Sequence, residues 1–255
     1  MRKEVKVFII LACVFVANVI LAEFIGVKIF SLEQTLGYKP LEYQWFGIPL
    51  SLSYTAGVII WPVVFVLTDI INDFYGKKGV RFLTYLAAAI TIYAFLVINI
   101  AIHLHPASWW QTIQADKGVP DADIAYKFIF GQGQNIIMGS LTAFILGQFI
   151  DIYVFQAIKR RSKNNNNLWI RATVSTLISQ FIDSFVVIFI AFYIGQNWTL
   201  QKVLSVSINN YIYKGLVALL MIPILQWIHT LIQNYIGKET SDIMKEKALN
   251  NEHFL

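Results

Sequence analysis

Leu67-Thr68-Asp69-Ile70-Ile71-Asn72-Asp73-Phe74-Tyr75-Gly76-Lys77-Lys78 is the stretch on which the fold turns. It closes one long apolar run, and after Gly79 a second run begins at Val80. Gly76 and Gly79 end a helix and allow a tight turn, so two spans are expected to meet here. Asp69, Asn72 and Asp73 are spaced three and four residues apart and share one helical face. Two nearby carboxylates at membrane depth repel each other, which favours uptake of a proton. Both acids have a second reading, in which they lie at the cytoplasmic end and pair with Lys77, Lys78 or Arg81. Asp69 sits a turn deeper, which favours a functional role for it; for Asp73 both readings stand.

Six runs approach the roughly 20 residues that cross a bilayer as a helix. They are Val5 to about Ile29, Leu52 to Phe74, Val80 to Ile102, Asn135 to Ile158, Leu168 to Ile194, and Ile208 to Ile236. The expected fold is an all-α membrane protein, a single bundle of six transmembrane helices over residues 1–255. Pro62 and Pro223 fall inside the second and sixth runs, where a kink is tolerated. Two loops are long: Ser31 to Ser51, and His103 to Gln134, which carries Trp109-Trp110 and suits an interfacial segment. The chain is 57% hydrophobic and 14% charged, against about 25% charged for an ordinary soluble domain. Met1 to Lys6 followed by an apolar stretch resembles a signal peptide. The stretch is too long, and Glu23-Phe24 is no small-residue cleavage site, so it reads as an uncleaved first span. The single cysteine, Cys13, argues against disulfides and cysteine-based metal sites.

The net charge of +5 comes from basic residues at the ends of apolar runs, a pattern of membrane topology rather than of nucleic-acid binding. Arg2, Lys3, Lys6, Lys77, Lys78, Arg81, Lys159, Arg160, Arg161, Lys163, Arg171, Lys238, Lys245 and Lys247 fall on one side. An even number of spans with that side inside places both termini in the cytoplasm. The Asn164–Asn167 insert lies in a cytoplasmic loop and has no specific role.

Gln-Phe-Ile-Asp occurs twice, at Gln148–Asp151 and Gln180–Asp183. A carboxylate at membrane depth costs roughly 2.5–3.5 kcal/mol on insertion scales, so several of them imply a polar interior. The two helices run in opposite directions, and Asp183, beside Ser179 and Ser184, lies deeper than Asp151. Gln180 and Asp183 are therefore the expected ligand pair, with Gln148 and Asp151 as support; the alternative is a structural helix–helix clasp. Asn18 and Glu23 on the first span are further supporting residues. Asn209, Asn210 and Lys214 lie on the sixth. Lys214 either neutralises an acid across the bundle or snorkels to the headgroups. His103 and His105 make too small a set for a metal. Phe8, Phe15, Trp61, Phe65, Phe181 and Phe185 supply aromatic surface, of which one or two could stack on a flat ligand. No Gly-Lys-Ser/Thr loop, Gly-x-Ser-x-Gly or His-Glu-x-x-His is present, which leaves no signature of ATP hydrolysis or of an intramembrane hydrolase.

Thr68–Arg81 resembles the queuosine precursor transporter family, described earlier as vitamin uptake transporters. Its members have about six spans and an Asp-x-x-x-Glu-x-Tyr-Gly-Lys-Lys-like signature closing an early one. Here that signature reads Asp69-Ile-Ile-Asn-Asp73-Phe-Tyr75-Gly76-Lys77-Lys78, with aspartate in place of glutamate. Gln180–Asp183 is similar to the family's later Gln-x-x-Asp pair, and Asn209-Asn210-Tyr211 to its polar start of the last span. The resemblance extends from about Val7 to Ile236. It implies import of 7-deazaguanine bases, the cyano- and aminomethyl-substituted precursors of queuosine, across the inner membrane. A guanine-like edge presents two donors to a carboxylate, and its O6 needs a donor such as Gln180 or Asn210.

The preferred reading is thus a secondary transporter, not an enzyme, binding its substrate through Asp183, Gln180, Asp69, Asp73, Asn72, Asn210 and Lys214. It calls for no cofactor, no metal and no nucleic acid; its partners are the small-molecule base and the lipid bilayer. Oligomeric state stays open, a homodimer being one option. Proton coupling through Asp69 or Asp183 and facilitated diffusion are both open. The alternative is a substrate-capture subunit of a multi-component uptake system, and a third class is a metal-dependent intramembrane enzyme.

Overall fold

The computed structural model describes residues 1–39, 43–45, 48–50, 52–131, 134–161, 168–195 and 197–250. In order, the helices are α1 (Lys3–Ile25), α2 (Leu32–Thr35), α3 (Trp61–His103), α4 (Ser108–Gln111), α5 (Ala122–Phe130), α6 (Gln134–Arg161), α7 (Leu168–Ile188), α8 (Leu200–Leu220), α9 (Ile222–Ile236) and α10 (Lys238–Leu249). Two antiparallel ribbons lie between α1 and α3: β1 (Ile29–Ser31) with β4 (Ser53–Thr55), and β2 (Tyr43–Trp45) with β3 (Ile48–Leu50). The fold is all-α in class. Among the described residues, five helices are long and apolar enough to cross a membrane: Lys3–Ile25, Trp61–His103, Gly139–Arg161, Leu168–Ile194 and Leu200–Leu220.

The count of five against six expected runs has a local cause. The second and third runs form one continuous helical element of 43 residues, α3, broken in direction at Gly76, whose φ of 69° and ψ of −171° are not helical. Contacts on both sides show the reversal. Ala22 at the end of α1 approaches Gly57, Phe8 near its start touches Tyr75 and lies by Gly79, and Phe24 near its end packs on Phe95. Against α6, Thr68 meets Gln148 and Asn72 meets Gln156, whereas Lys77 meets Tyr153 and Tyr85 meets Phe149. The chain climbs one way along α6 before Gly76 and returns the other way after it. Only glycine enters that backbone region freely, and a Cβ here would stand 2.9 Å from the Ala248 carbonyl.

The prolines account for two boundary differences. Pro62 stands in the first turn of α3, where its missing N–H costs nothing, so that helix begins at Trp61 rather than Leu52. Residues 53–59, expected inside the second span, form β4 and a 3-10 turn. Pro223 opens α9 in the same way, so the expected sixth span is interrupted at Met221 and its first part starts earlier, at Leu200. The first span stops at Ile25 because Lys28 onward feeds β1. The fifth agrees with expectation, with its last turn widened to a π-helix over Phe189–Ile194. The Asn164–Asn167 insert and Lys163 lie outside the described residues.

α6 and α7 make the most extensive helix pair. They run antiparallel and approach closely at small residues: a Cβ on Gly139 would meet Ile190 and Ala191, and one on Gly147 would meet the Asp183 Cβ at 3.6 Å. Phe15, Ile70, Ile152 and Phe155 fill the centre of the bundle, while Ile100, Leu220 and Trp227 face outward. The start of α1 and the C-terminal α10 lie at the same end. There Tyr75 donates to the Glu4 carbonyl at 2.7 Å, and Arg160 donates to the Leu249 carbonyl at 3.3 Å.

Candidate functional site

Polar residues of the bundle fall into three levels. At the end that holds both α1's start and α10, Asp73 is 1% exposed and surrounded by bases from three other helices. Lys159 Nζ lies 2.8 Å from its Oδ1, Arg171 Nη2 lies 3.3 Å from the same oxygen, and His229 Nε2 lies 3.1 Å from Oδ2. Next to it, Gln156 Nε2 donates to Asn72 through the backbone carbonyl at 3.0 Å and the side-chain oxygen at 2.7 Å. These contacts clasp α3, α6, α7 and α9 together. Phe74 extends the clasp by stacking on His229 at 4.8 Å and receiving the Lys245 ammonium of α10 at 5.2 Å. Burial, with Arg171 nearby, lowers the pKa of Lys245, against the pull of Asp73 and Asp242.

Asp73 is therefore ion-paired, but not with the bases expected. Lys77 and Arg81 instead sit over the Tyr153 ring, at 4.7 and 5.2 Å, and Arg81 also donates to the Tyr153 hydroxyl. The i, i+4 lysine projects past the turn at Gly76, whereas Lys159 and Arg171 come from helices facing the acid.

One turn deeper, Asp69 is 3% exposed and makes no ion pair among the described residues. Its Oδ2 accepts from the Thr176 hydroxyl at 3.5 Å, and its Oδ1 has no hydrogen-bond partner among them. On the facing helix α6, Asp151 lies between Gln148 and Gln156, which bond Thr68 and Asn72 on either side of Asp69. The Asp151 Oδ1 accepts from Ser179 at 3.4 Å. Gln148 accepts from Thr68 at 3.2 Å, and both polar atoms of Gln180, which is 1% exposed, lack partners among the described residues.

Toward the opposite end, Asp183 pairs with Lys214, which settles the lysine's two readings in favour of neutralising an acid. Ser140 donates to Glu23, whose carboxylate feels the Asp183 charge. Asn18 turns back on its own helix, donating to the Val14 carbonyl at 2.7 Å, and Asn210 is partly exposed on α8.

A pocket of about 490 Å³, open mouth included, lies between α3, α7, α8 and α9. Its walls include Phe65, Asp69, Thr176, Tyr213, Lys214 and Leu225. Of the expected ligand residues, the structure brings Asp69 and Lys214 onto this pocket. Asp183 stands behind Lys214, Asn72 and Asp73 lie in the clasp, and Gln180, Asn210, Gln148, Asp151, Asn18 and Glu23 are not on its wall. Thr176, Tyr213 and the bases of the clasp were not foreseen. His229 carried a readable signal, as the one imidazole in the sixth run.

Residues 55–228 match the family described as "Putative vitamin uptake transporter". The chain belongs to that family. Among curated proteins the chain is similar to a "Probable queuosine precursor transporter" of Bacillus subtilis (strain 168). It is 30% identical over 178 residues, 68% of this chain and 70% of that one. The "Queuosine precursor transporter" of Escherichia coli (strain K12) is 24% identical over 176 residues, covering 67% and 70%. A "Probable queuosine precursor transporter" of Haemophilus influenzae (strain ATCC 51907 / DSM 11121 / KW20 / Rd) is 22% identical over 177 residues, covering 67% and 66%. No solved structure matches the chain. As a member of this family the chain is a multi-pass membrane protein that transports a small molecule, not an enzyme. The matched region contains every pocket-lining residue named above.

Proposed function

We propose that the chain is a secondary transporter that imports queuosine precursors, the planar 7-deazaguanine bases, through the pocket between α3, α7, α8 and α9. The observation that carries this reading is one pocket that holds a buried acid, Asp69, with no ion pair among the described residues, and a cation, Lys214. The acid accepts the two adjacent donors of a guanine-like edge, and the ammonium donates to its O6. Asp183 holds Lys214 until substrate arrives. Gln180 and Ser184 line the next layer of the same helix and hydrogen-bond with the substrate as it moves on.

In this reading α1, the two arms of α3, α6, α7 and the α8–α9 pair make six crossings of the inner membrane. The basic end that carries the Asp73 clasp faces the cytoplasm, in accord with the positive-inside rule, and both termini lie there. Interrupted helices at a midplane site are a recurrent design of secondary transporters, and the break at Met221 borders the pocket. A proton taken up between Asp69 and Asp151 supplies the coupling.

The test is salvage in cells that cannot make the precursors but can insert them into tRNA. Given the base and this protein, their tRNA should regain queuosine. Unmodified tRNA with the protein inserted and folded would refute the reading.

A further inference from the structure

The pocket wall carries a feature outside the acid–base pair. Tyr213 lines the pocket beside Lys214, and its ring is covered by Tyr54, with centroids 4.2 Å apart and planes 28° from parallel. Tyr54 does not belong to the bundle. It sits on β4, in the β1–β4 ribbon that joins α1 to α3, yet it is only 4% exposed. The ribbon is held independently of that ring. The Leu52 N–H donates to the Glu33 carboxylate at 3.1 Å, and Ser31 donates to its other oxygen at 2.7 Å. Ala56 N–H donates to the Lys28 carbonyl at 2.8 Å. Burial pushes the Tyr54 hydroxyl up to about 12, so the ring is a neutral, flat insert carrying a hydrogen bond with Asn209.

We infer that Tyr213 is the platform on which the planar ring of the substrate stacks, and that Tyr54 covers this platform in the empty protein and is displaced on loading. The inference rests on the proposed function, which supplies a flat heteroaromatic ligand. Offset stacking at this separation suits a fused ring as well as a phenol. A base lying on Tyr213 would share its pocket with Lys214, the next residue on α8, and Asp69, since all three line its wall. The arrangement selects for flat ligands, because an aliphatic solute gains little from a face that Tyr54 already fills.

The two tyrosines should respond in opposite directions. Stacking on an aromatic side chain is worth roughly a five-fold to hundred-fold change in affinity when the ring is removed. Binding of labelled 7-cyano-7-deazaguanine to the purified full chain is measured for wild type, Tyr213→Leu, Tyr213→Phe, Tyr54→Ala and Tyr54→Phe. Expected are a loss of at least about five-fold for Tyr213→Leu and near wild-type affinity for both phenylalanine variants. For Tyr54→Ala, a gain of about three-fold or more is expected. Weaker binding in Tyr54→Ala with unchanged binding in Tyr54→Phe would make Tyr54 part of the bound site and overturn its displacement. Unchanged binding in Tyr213→Leu would overturn the platform. Absence of binding by the folded wild type would instead overturn the proposed function, and this inference with it.

Discussion

Lys159 grips Asp73 twice: its Nζ lies 2.8 Å from the carboxylate Oδ1 and 2.7 Å from the backbone carbonyl of the same residue. The second contact anchors the last turn before Gly76, so the charge pair also fixes where α3 reverses. With Arg171 and His229 on the same carboxylate, one acid holds three helices to α3. Removing one partner of a buried ion pair leaves a bare charge, at a cost of about 3–5 kcal/mol. Asp73→Asn and Lys159→Met should each lower the thermal unfolding midpoint in detergent markedly. An unchanged midpoint in either variant would mean the clasp is not what holds this end.

Asp69, one turn away, is expected to behave differently. No ion pair ties it to the fold among the described residues, so Asp69→Asn should leave the unfolding midpoint near that of wild type. Loss of a charge-assisted hydrogen bond to substrate is worth about 1.5–3 kcal/mol, ten-fold or more in affinity. Direct binding of a 7-deazaguanine base checks this, and retained affinity would move the ligand away from α3.

Lys214 and Asp183 form a pair at the pocket edge in which the lysine lines the wall and the acid stands behind it. Lys214→Met should therefore weaken binding more than Asp183→Asn does. The double variant should bind no worse than Lys214→Met alone, because the acid acts through the lysine. An Asp183→Asn defect larger than that of Lys214→Met would make Asp183 the direct ligand, as the sequence reading expected.

Gly76 and Gly118 both have positive φ, 69° and 85°, but only Gly76 has a neighbour at its Cβ position, the Ala248 carbonyl at 2.9 Å. Alanine at 118 should cost about 1–2 kcal/mol from backbone strain alone. Alanine at 76 must also push α10 away, so its loss of stability should be clearly the larger of the two. Circular dichroism melts of both variants measure the difference, and equal losses would indicate that α10 does not pack on the turn.

How much was legible follows from what each signal measures. Apolar run length and the Gly76 turn report local chain chemistry, and they located the helices and the reversal of α3. Prolines 62 and 223 fall inside apolar runs, yet each starts a helix, because a span boundary depends on which backbone donors neighbouring segments satisfy. Burial of Asp69 follows from the cost of a carboxylate at membrane depth, but the order of the other two acids is reversed: Asp151 is buried, and Asp183, expected to be the better buried, is partly exposed beside Lys214. The partners of Asp73 were not foreseen. Lys159 and Arg171 read as loop charges at the ends of apolar runs, and only helix packing turns them toward Asp73. Tyr213 carried no signal at all, since one tyrosine in an aromatic-rich chain is indistinguishable from a lipid-facing one until the pocket is seen.

The central claim is that this chain by itself moves a 7-deazaguanine base through the Asp69–Lys214 pocket. Uptake of a radiolabelled precursor into proteoliposomes containing only the purified protein tests it most directly. Uptake should run well above that of empty liposomes, saturable and competed by unlabelled base, and be abolished in Asp69→Asn. Uptake no greater than in empty liposomes, by protein shown to be folded and inserted, would contradict it.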